Sequence, residues 1–249
     1  MRNIKITLEY DGRRYAGWQI QPKNQTAKRQ TIQESIEKTL QKILQEKIKV
    51  IGSGRTDAGV HALAQVANFK THSKIPLEKL QKALNALLPE DMVVNKIEEV
   101  GPDFHARFQA KSKLYRYTIL NRRYPSVFLR HYAYFYPYPL DVNLMRKEAQ
   151  YLVGRHNFKS FYTSDKKIRN PVRTIKYIKI KNNKGLITID IEADGFLYNM
   201  ARNIVGTLLE IGRGRFPQGS MKKILLAKDR TKAGPTVPAG GLCLIRVNY

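Results

Sequence analysis

The chain has little of what most readily announces a chemistry. Cys243 is the one cysteine among 249 residues, so no disulfide can form within the chain and no cysteine-based zinc site can be built. Its place in an apolar terminal stretch reads as core rather than as a nucleophile. The five histidines, at 61, 72, 105, 131 and 156, show no metal-ligand spacing, and no metal is expected. Thiol scarcity fits a reducing compartment, and the cytoplasm is the expected location. No apolar run approaches the ~20 residues of a membrane span, and the first twenty residues carry charges throughout, so neither an anchor nor a signal peptide is expected. Carboxylates are scarce too, 20 Asp+Glu against 45 Lys+Arg. A metal-dependent nuclease needs several carboxylates gathered around its cations, and the sequence offers no such cluster. No glycosidase-like carboxylate pair is evident either. Gly212-x-Gly214 lacks the remaining spacing of a dinucleotide or P-loop fingerprint, and no Gly-x-Ser-x-Gly elbow occurs.

What is present is positive charge on a chain able to fold. Hydrophobic residues make up 42% of the sequence and no tract is of low complexity, so a real core can form, in one large domain or two ordinary ones. A net charge of +25 creates self-repulsion that a nucleic acid relieves. The basic residues come in short groups, Arg13-Arg14, Lys28-Arg29, Arg122-Arg123, Lys166-Lys167, Arg213-Gly-Arg215 and Lys222-Lys223. That spread favours a wide cationic face over a single amphipathic membrane helix. Fourteen tyrosines, dense from Tyr132 through Tyr138, mostly read as strand and core residues, with a minority suited to stacking on unpaired bases.

Periodicity predicts an α+β fold. Ile4, Ile6, Leu8 and Tyr10 alternate with polar residues, which predicts a half-buried strand ending at Asp11-Gly12. After a polar basic loop from Gln21 to Gln30, Thr31 and Glu34 form a capping box for a helix bearing Ile32, Ile36, Leu40, Ile43 and Leu44. Strands are expected at Lys47 to Ile51 and Gln65 to Lys70, then a helix opened by Pro76 and closed by Pro89, then a strand from Met92 to Val100. This order, strand, helix, strand, strand, helix, strand, is that of a ferredoxin-like or RRM-like unit. The second half repeats it loosely. Strands are expected at Leu114 to Leu120 and His131 to Tyr136, and Asp141 caps a helix reaching about Val153. A hairpin joins Thr174–Lys181 to Leu186–Ala193, and helices follow near 197–211 and 221–227 before a last strand from Leu242. The expected architecture is therefore two ferredoxin-like halves, 1–108 and 109–249, with antiparallel sheets joined around a central cleft, a preferred place for a site.

The most unusual stretch is Gly52-Ser-Gly-Arg-Thr-Asp-Ala-Gly-Val-His61. Its glycines free the backbone around an Arg-x-Asp, so Arg55 and Asp57 sit on a shaped loop between strands. A plain turn in which Asp57 accepts backbone N–H groups would use the same residues. Asp57 is, however, the sole acidic residue between Glu46 and Glu78. A lone carboxylate kept ionised by arginine can serve as nucleophile or general base without a cofactor. Tyr115 alternates with Tyr117 and Ile119 as an inward strand residue, or faces a base. Arg202 lies on a largely apolar helix and needs an anionic partner, for which Asp57 qualifies.

Gly54-Arg-Thr-Asp-Ala-Gly-Val-His-Ala62 resembles the signature of the TruA-type tRNA pseudouridine synthases. Further similar blocks occur in family order: Tyr10-Asp-Gly12, Gly17-Trp-Gln19, Phe104-His-Ala-Arg-Phe108, Tyr115-Arg-Tyr117, Gly195-Phe-Leu197, Met200-Ala-Arg202, Ile204-Val-Gly-Thr-Leu208, Ala233-Gly-Pro235 and Gly241-Leu242. The resemblance runs from near Ile4 to Tyr249. It implies the pseudouridine synthase fold and isomerisation of uridine to pseudouridine at positions 38 to 40 of the tRNA anticodon stem-loop, by a homodimer without cofactor. The family's catalytic aspartate falls on Asp57, and its substrate-binding residues on Arg55, Tyr115 and Arg202. Ala201 stands where the family has valine, Val237 where it has alanine, and the Gln21 to Gln30 loop is a few residues longer than is usual in the family. The alternative is a non-catalytic RNA-binding or RNA-chaperone protein, which explains charge and tyrosines but lacks an RNP1 pattern and leaves the Gly-Arg-Thr-Asp loop without a role.

Overall fold

The computed structural model describes residues 1–20, 29–163 and 170–249. Lys28, the pair Lys166-Lys167 and most of the loop between Gln21 and Gln30 lie outside the described residues. In chain order the elements are β1 (Arg2–Tyr10), α1 (Ile32–Leu44), β2 (Ile51–Gly52), β3 (His61–Thr71), α2 (Leu77–Leu87), β4 (Met92–Val100), β5 (Ser112–Leu120), β6 (Tyr134–Phe135), α3 (Val142–Ala149), β7 (Gly154–Asn157), β8 (Val172–Asn183), β9 (Leu186–Ala193), α4 (Met200–Gly212), α5 (Ser220–Ala227) and β10 (Leu242–Asn248). The chain is α+β, and among the described residues no helix is long and apolar enough to cross a membrane.

Two compact units form, Met1–Lys111 with Cys243–Tyr249, and Ser112–Leu242. A division at 108/109 runs near that boundary but would leave β10 with the second part. In the structure β10 belongs to the first unit, because Cys243 and Leu244 pair in parallel with His61 and Ala62 and Lys111 donates its N–H to the Asn248 carbonyl.

In the first unit β1 lies between β4 and β3, antiparallel to both, and β2 pairs antiparallel with β3. The order β4-β1-β3-β2 is the split pattern expected of a ferredoxin-like unit. Ile4, Ile6 and Leu8 are fully buried, as are Ile32, Ile36 and Leu40 of α1 and Leu80 and Leu84 of α2. Each such side chain contributes about 1.5–3 kcal/mol of burial. Thr31 caps α1 as its sequence predicts, its hydroxyl accepting the Glu34 N–H at 3.2 Å, a bond whose loss costs about 1 kcal/mol. The strand expected at Lys47 to Ile51 is reduced to Ile51 and Gly52. Val50 instead donates its N–H to Glu37 and accepts from the Gln33 amide, so side chains of α1 take the backbone groups a ladder would have used.

The second unit has the ingredients of the first in another order, β5-β9-β8-β7, with β6 beside β5. Neighbours in sequence pair here, since β8 and β9 close through Lys184 and Gly185, both at positive φ, and β7 adds to the outer edge of β8. The alternation of Ile187, Ile189, Ile191 and Ala193 buries all four. The strand expected from His131 shrinks to Tyr134 and Phe135 because the N–H groups of Tyr132 and Ala133 turn back to the Leu129 carbonyl. The helix expected from Leu197 begins at Met200, since Asn199 is held in the left-handed region at φ 60°. Strand β7 carries too little alternation to be read from sequence.

Candidate active site

In the first unit, the Asp57 loop is anchored before it is shaped. Its floor is the segment after β1. Gly17 sits at φ +94°, and a side chain there would meet the Thr56 carbonyl at 2.6 Å and the backbone of Asp57 and Ala58 at 3.2 Å. Only glycine combines that dihedral with that approach. The Trp18 N–H donates to the Thr56 carbonyl at 3.0 Å, and the Val60 N–H to the Asp57 carbonyl at 3.1 Å. Asp57 is thus fixed by backbone bonds on both sides, with its residue half-buried. At the root of the loop the Tyr10 and Thr56 hydroxyls share a buried 2.8 Å bond. Burial pushes the Tyr10 phenol well above its usual range, so it stays neutral.

Two amides complete the scaffold. Gln65 of β3, fully buried, accepts from the Ser53 hydroxyl at 2.6 Å and donates to the Gly54 carbonyl at 3.0 Å. Gln19 accepts from Arg55 Nε at 3.1 Å and donates to the buried Gln33 of α1 at 3.0 Å. Arg55 itself is exposed, so the loop presents a cation to solvent two residues from its carboxylate. Such an arrangement can support nucleophilic or general-base chemistry, because the backbone that carries the carboxylate is fixed and an ionised carboxylate needs no metal to activate it. Among the described residues no group of three or more His, Cys, Asp or Glu could hold a metal ion.

Tyr115 and Arg202 belong to the second unit. Tyr115 is buried on β5, opposite Ile191 of β9, with its ring edge-on to Phe196 at 4.9 Å. Arg202, half-buried in the first turn of α4, donates from Nε to the Val237 carbonyl at 2.8 Å and from a terminal nitrogen to Asn199 Oδ1 at 3.0 Å. Three successive residues of the strap before β10 are held by side chains: Thr236 by Asn203, Val237 by Arg202 and Pro238 by the Tyr117 hydroxyl at 2.8 Å. Gly206 lets this strap lie against α4, since a side chain there would meet the Pro235 carbonyl at 1.8 Å.

Gln65 and Asn203 were not singled out by sequence reasoning. Asn203 is fully buried and uses its whole amide, donating to the Phe161 carbonyl and Thr163 and accepting from Arg230 and Thr236. The available signal was a carboxamide inside an apolar helix face, which folding tolerates only when every polar atom finds a partner.

Parts of both units match one family, with Arg55, Asp57 and Arg202 inside the matched segments and Tyr115 between them. The family model described as tRNA pseudouridine synthase matches residues 6–109 and 149–249, and the chain belongs to that family of isomerases. Full-length relatives are close. A protein of Thermoanaerobacter sp. (strain X514) named tRNA pseudouridine synthase A is 48% identical over 249 residues, 100% of both chains. One of Clostridium perfringens (strain 13 / Type A) named tRNA pseudouridine synthase A 2 is 47% identical over the same span, again 100% of both. Among solved structures, a chain in the crystal structure of a Cbf5-Nop10-Gar1 complex aligns at 13% identity and a TM-score of 0.36 over 97% of this chain and 48% of that one, too distant to add to these.

Proposed function

We propose that this chain isomerises uridine to pseudouridine at positions 38 to 40 in the anticodon stem-loop of tRNAs, with Asp57 as the essential carboxylate. It works as a cytoplasmic homodimer and requires no cofactor. The observation that carries the reading is the Asp57 loop, whose carboxylate stands on a backbone fixed at Thr56 and Val60 beside the solvent-facing Arg55, in a chain that matches its relatives from end to end. The charge of +25 supports an RNA substrate.

The target uridine is flipped out of the RNA stack at a cost of a few kcal/mol, and Arg55 braces the space it leaves. Tyr115 stacks on the uracil. Arg202 is the cation assigned to keep Asp57 ionised, because an opposite charge favours the charged form of a carboxyl. The N1–C1′ bond breaks, the uracil turns while held, C5 bonds to C1′, and the proton lost from C5 is balanced by one gained at N1. Asp57 can open this sequence by bonding to the ribose carbon, by adding to the ring, or by promoting a glycal. All three routes start from the ionised carboxylate.

The test is tRNA labelled in uridine, incubated with the protein in chelator. Label in pseudouridine without strand cleavage is the expected result. Unchanged RNA bound by the protein would establish the non-catalytic RNA-binding reading instead, and cleavage appearing only with added metal would establish a nuclease.

A further inference from the structure

Between β5 and β6 the chain leaves the sheet of the second unit for a loop whose apolar side chains face water. Phe128 is 86% exposed, more than any other large hydrophobic side chain of the described residues, and Val127 and Tyr124 are 67% and 64% exposed. The loop is held in that posture by its own hydrogen bonds. Asn121 closes its base by donating to the Tyr136 and Tyr138 carbonyls at 2.7 and 2.8 Å. Arg122 donates to the Tyr124 and Pro125 carbonyls, Arg130 to the Val127 carbonyl, and Leu129 N–H to Ser126 Oγ. Ordered, outward-facing rings cost solvation unless something covers them.

The chemistry around the rings says what covers them. Arg123 lies over the Tyr124 ring at 5.2 Å, and Arg122, Arg123 and Arg130 are all exposed. No acidic residue occurs between Asp103 and Asp141, a stretch holding seven Lys or Arg. A second copy would bring another chain of +25 against this cationic loop. An RNA strand offers the complementary pair instead, bases with π-faces for the rings and phosphates for the arginines. We propose that the loop from Arg122 to Tyr132 is an accessory RNA platform, on which Tyr124 and Phe128 stack unpaired nucleotides of the tRNA while Arg123 meets a phosphate. The proposal rests on tRNA being the substrate, and adds a contact that no chemistry requires.

The test is tRNA affinity, measured by filter binding on protein carrying Asp57→Asn so that turnover does not enter. Stacking is worth about 1–3 kcal/mol per base, so Tyr124→Ala and Phe128→Ala should each raise Kd about 5- to 150-fold. Phe128→Tyr, which keeps a ring, should stay within about twofold. Arg123→Gln should flatten the dependence of log Kd on log salt by about 0.7–0.9, one contact. These rings are largely exposed, so melting temperatures should not move. A Tyr124→Ala/Phe128→Ala double variant that binds tRNA like its parent overturns the proposal. So does unchanged affinity per protomer with a shift in sedimentation toward monomer, which assigns the loop to a second copy. Neither result bears on the isomerisation reading, which fails only if unsubstituted protein produces no pseudouridine.

Discussion

In the first unit the candidate side chains ride on a loop, and in the second on a strand and a helix, with the buried polar groups distributed to match. A loop has no ladder to fix it, so Asp57 and Arg55 depend on Gln65, Ser53, Thr56, Tyr10 and Gln19, every one reaching in from outside the loop or bracing it from within. Tyr115 and Arg202 inherit their positions from β5 and α4. There the polar investment goes one step outward, into the strap at Thr236 to Pro238. The contrast teaches that a reactive group can be pre-organised either by amides beneath it or by the element that carries it, and that the two arrangements fail differently.

The most severe way to test the contrast is at Asp57. Asp57→Asn preserves shape and removes the ionised oxygen, so pseudouridine formation should fall by about 10³-fold or more while tRNA Kd stays within about threefold. Turnover surviving that change would remove the first unit's claim to the chemistry. Next in size is Gln65→Leu, which leaves the Ser53 hydroxyl and the Gly54 carbonyl without the partner they have now. It should cost about 2–4 kcal/mol of stability in urea unfolding, and up to ~10² in turnover at temperatures where the variant is folded, since small misplacements near a reacting group are that expensive. Stability lost without turnover lost would mean that the loop does not depend on its amide.

Arg202→Ala sharpens the other side. If Arg202 holds the charge of Asp57 as proposed, removing the cation should move the acidic limb of the pH–rate profile upward, because an opposite charge favours the ionised carboxylate; an unmoved limb would count against the pairing. Arg55→Ala should lower the rate and leave that limb in place, if Arg55 braces the RNA and Arg202 holds the charge. Equal shifts from both variants would erase the division of labour between them.

What could be read in the sequence follows the same division. Elements that carry a local signal were legible: β1 from its alternation, α1 from Thr31 and Glu34, the β8–β9 hairpin from its turn. So was the Asp57 loop, because its glycines and its lone carboxylate are local features. Features made by distant partners were not. Val50 loses its ladder to Glu37 and Gln33, and β10 returns from the far end of the chain to pair with the start of β3. Asn203 is explained only by Phe161, Thr163, Arg230 and Thr236, none of which is near it in sequence. Long-range satisfaction of buried polar groups carries no periodicity, and so leaves no local trace.

The smallest expected effect lies at the root of the strap. Asp229 accepts the Thr231 N–H at 2.9 Å and its hydroxyl at 2.8 Å, capping the turn that carries Arg230 to Asn203. Those bonds, the backbone one foremost, with Lys232 and Lys159 nearby, hold its carboxyl below the ordinary 3.8. A carboxyl depressed in the folded state adds stability that is present above the unfolded pKa and fades as pH falls through the folded one. Asp229→Asn keeps an acceptor but loses the charge, so the parent should melt slightly higher at pH 7, and that margin should shrink below about pH 4. A margin that persists into acid would show that shape rather than charge secures the turn.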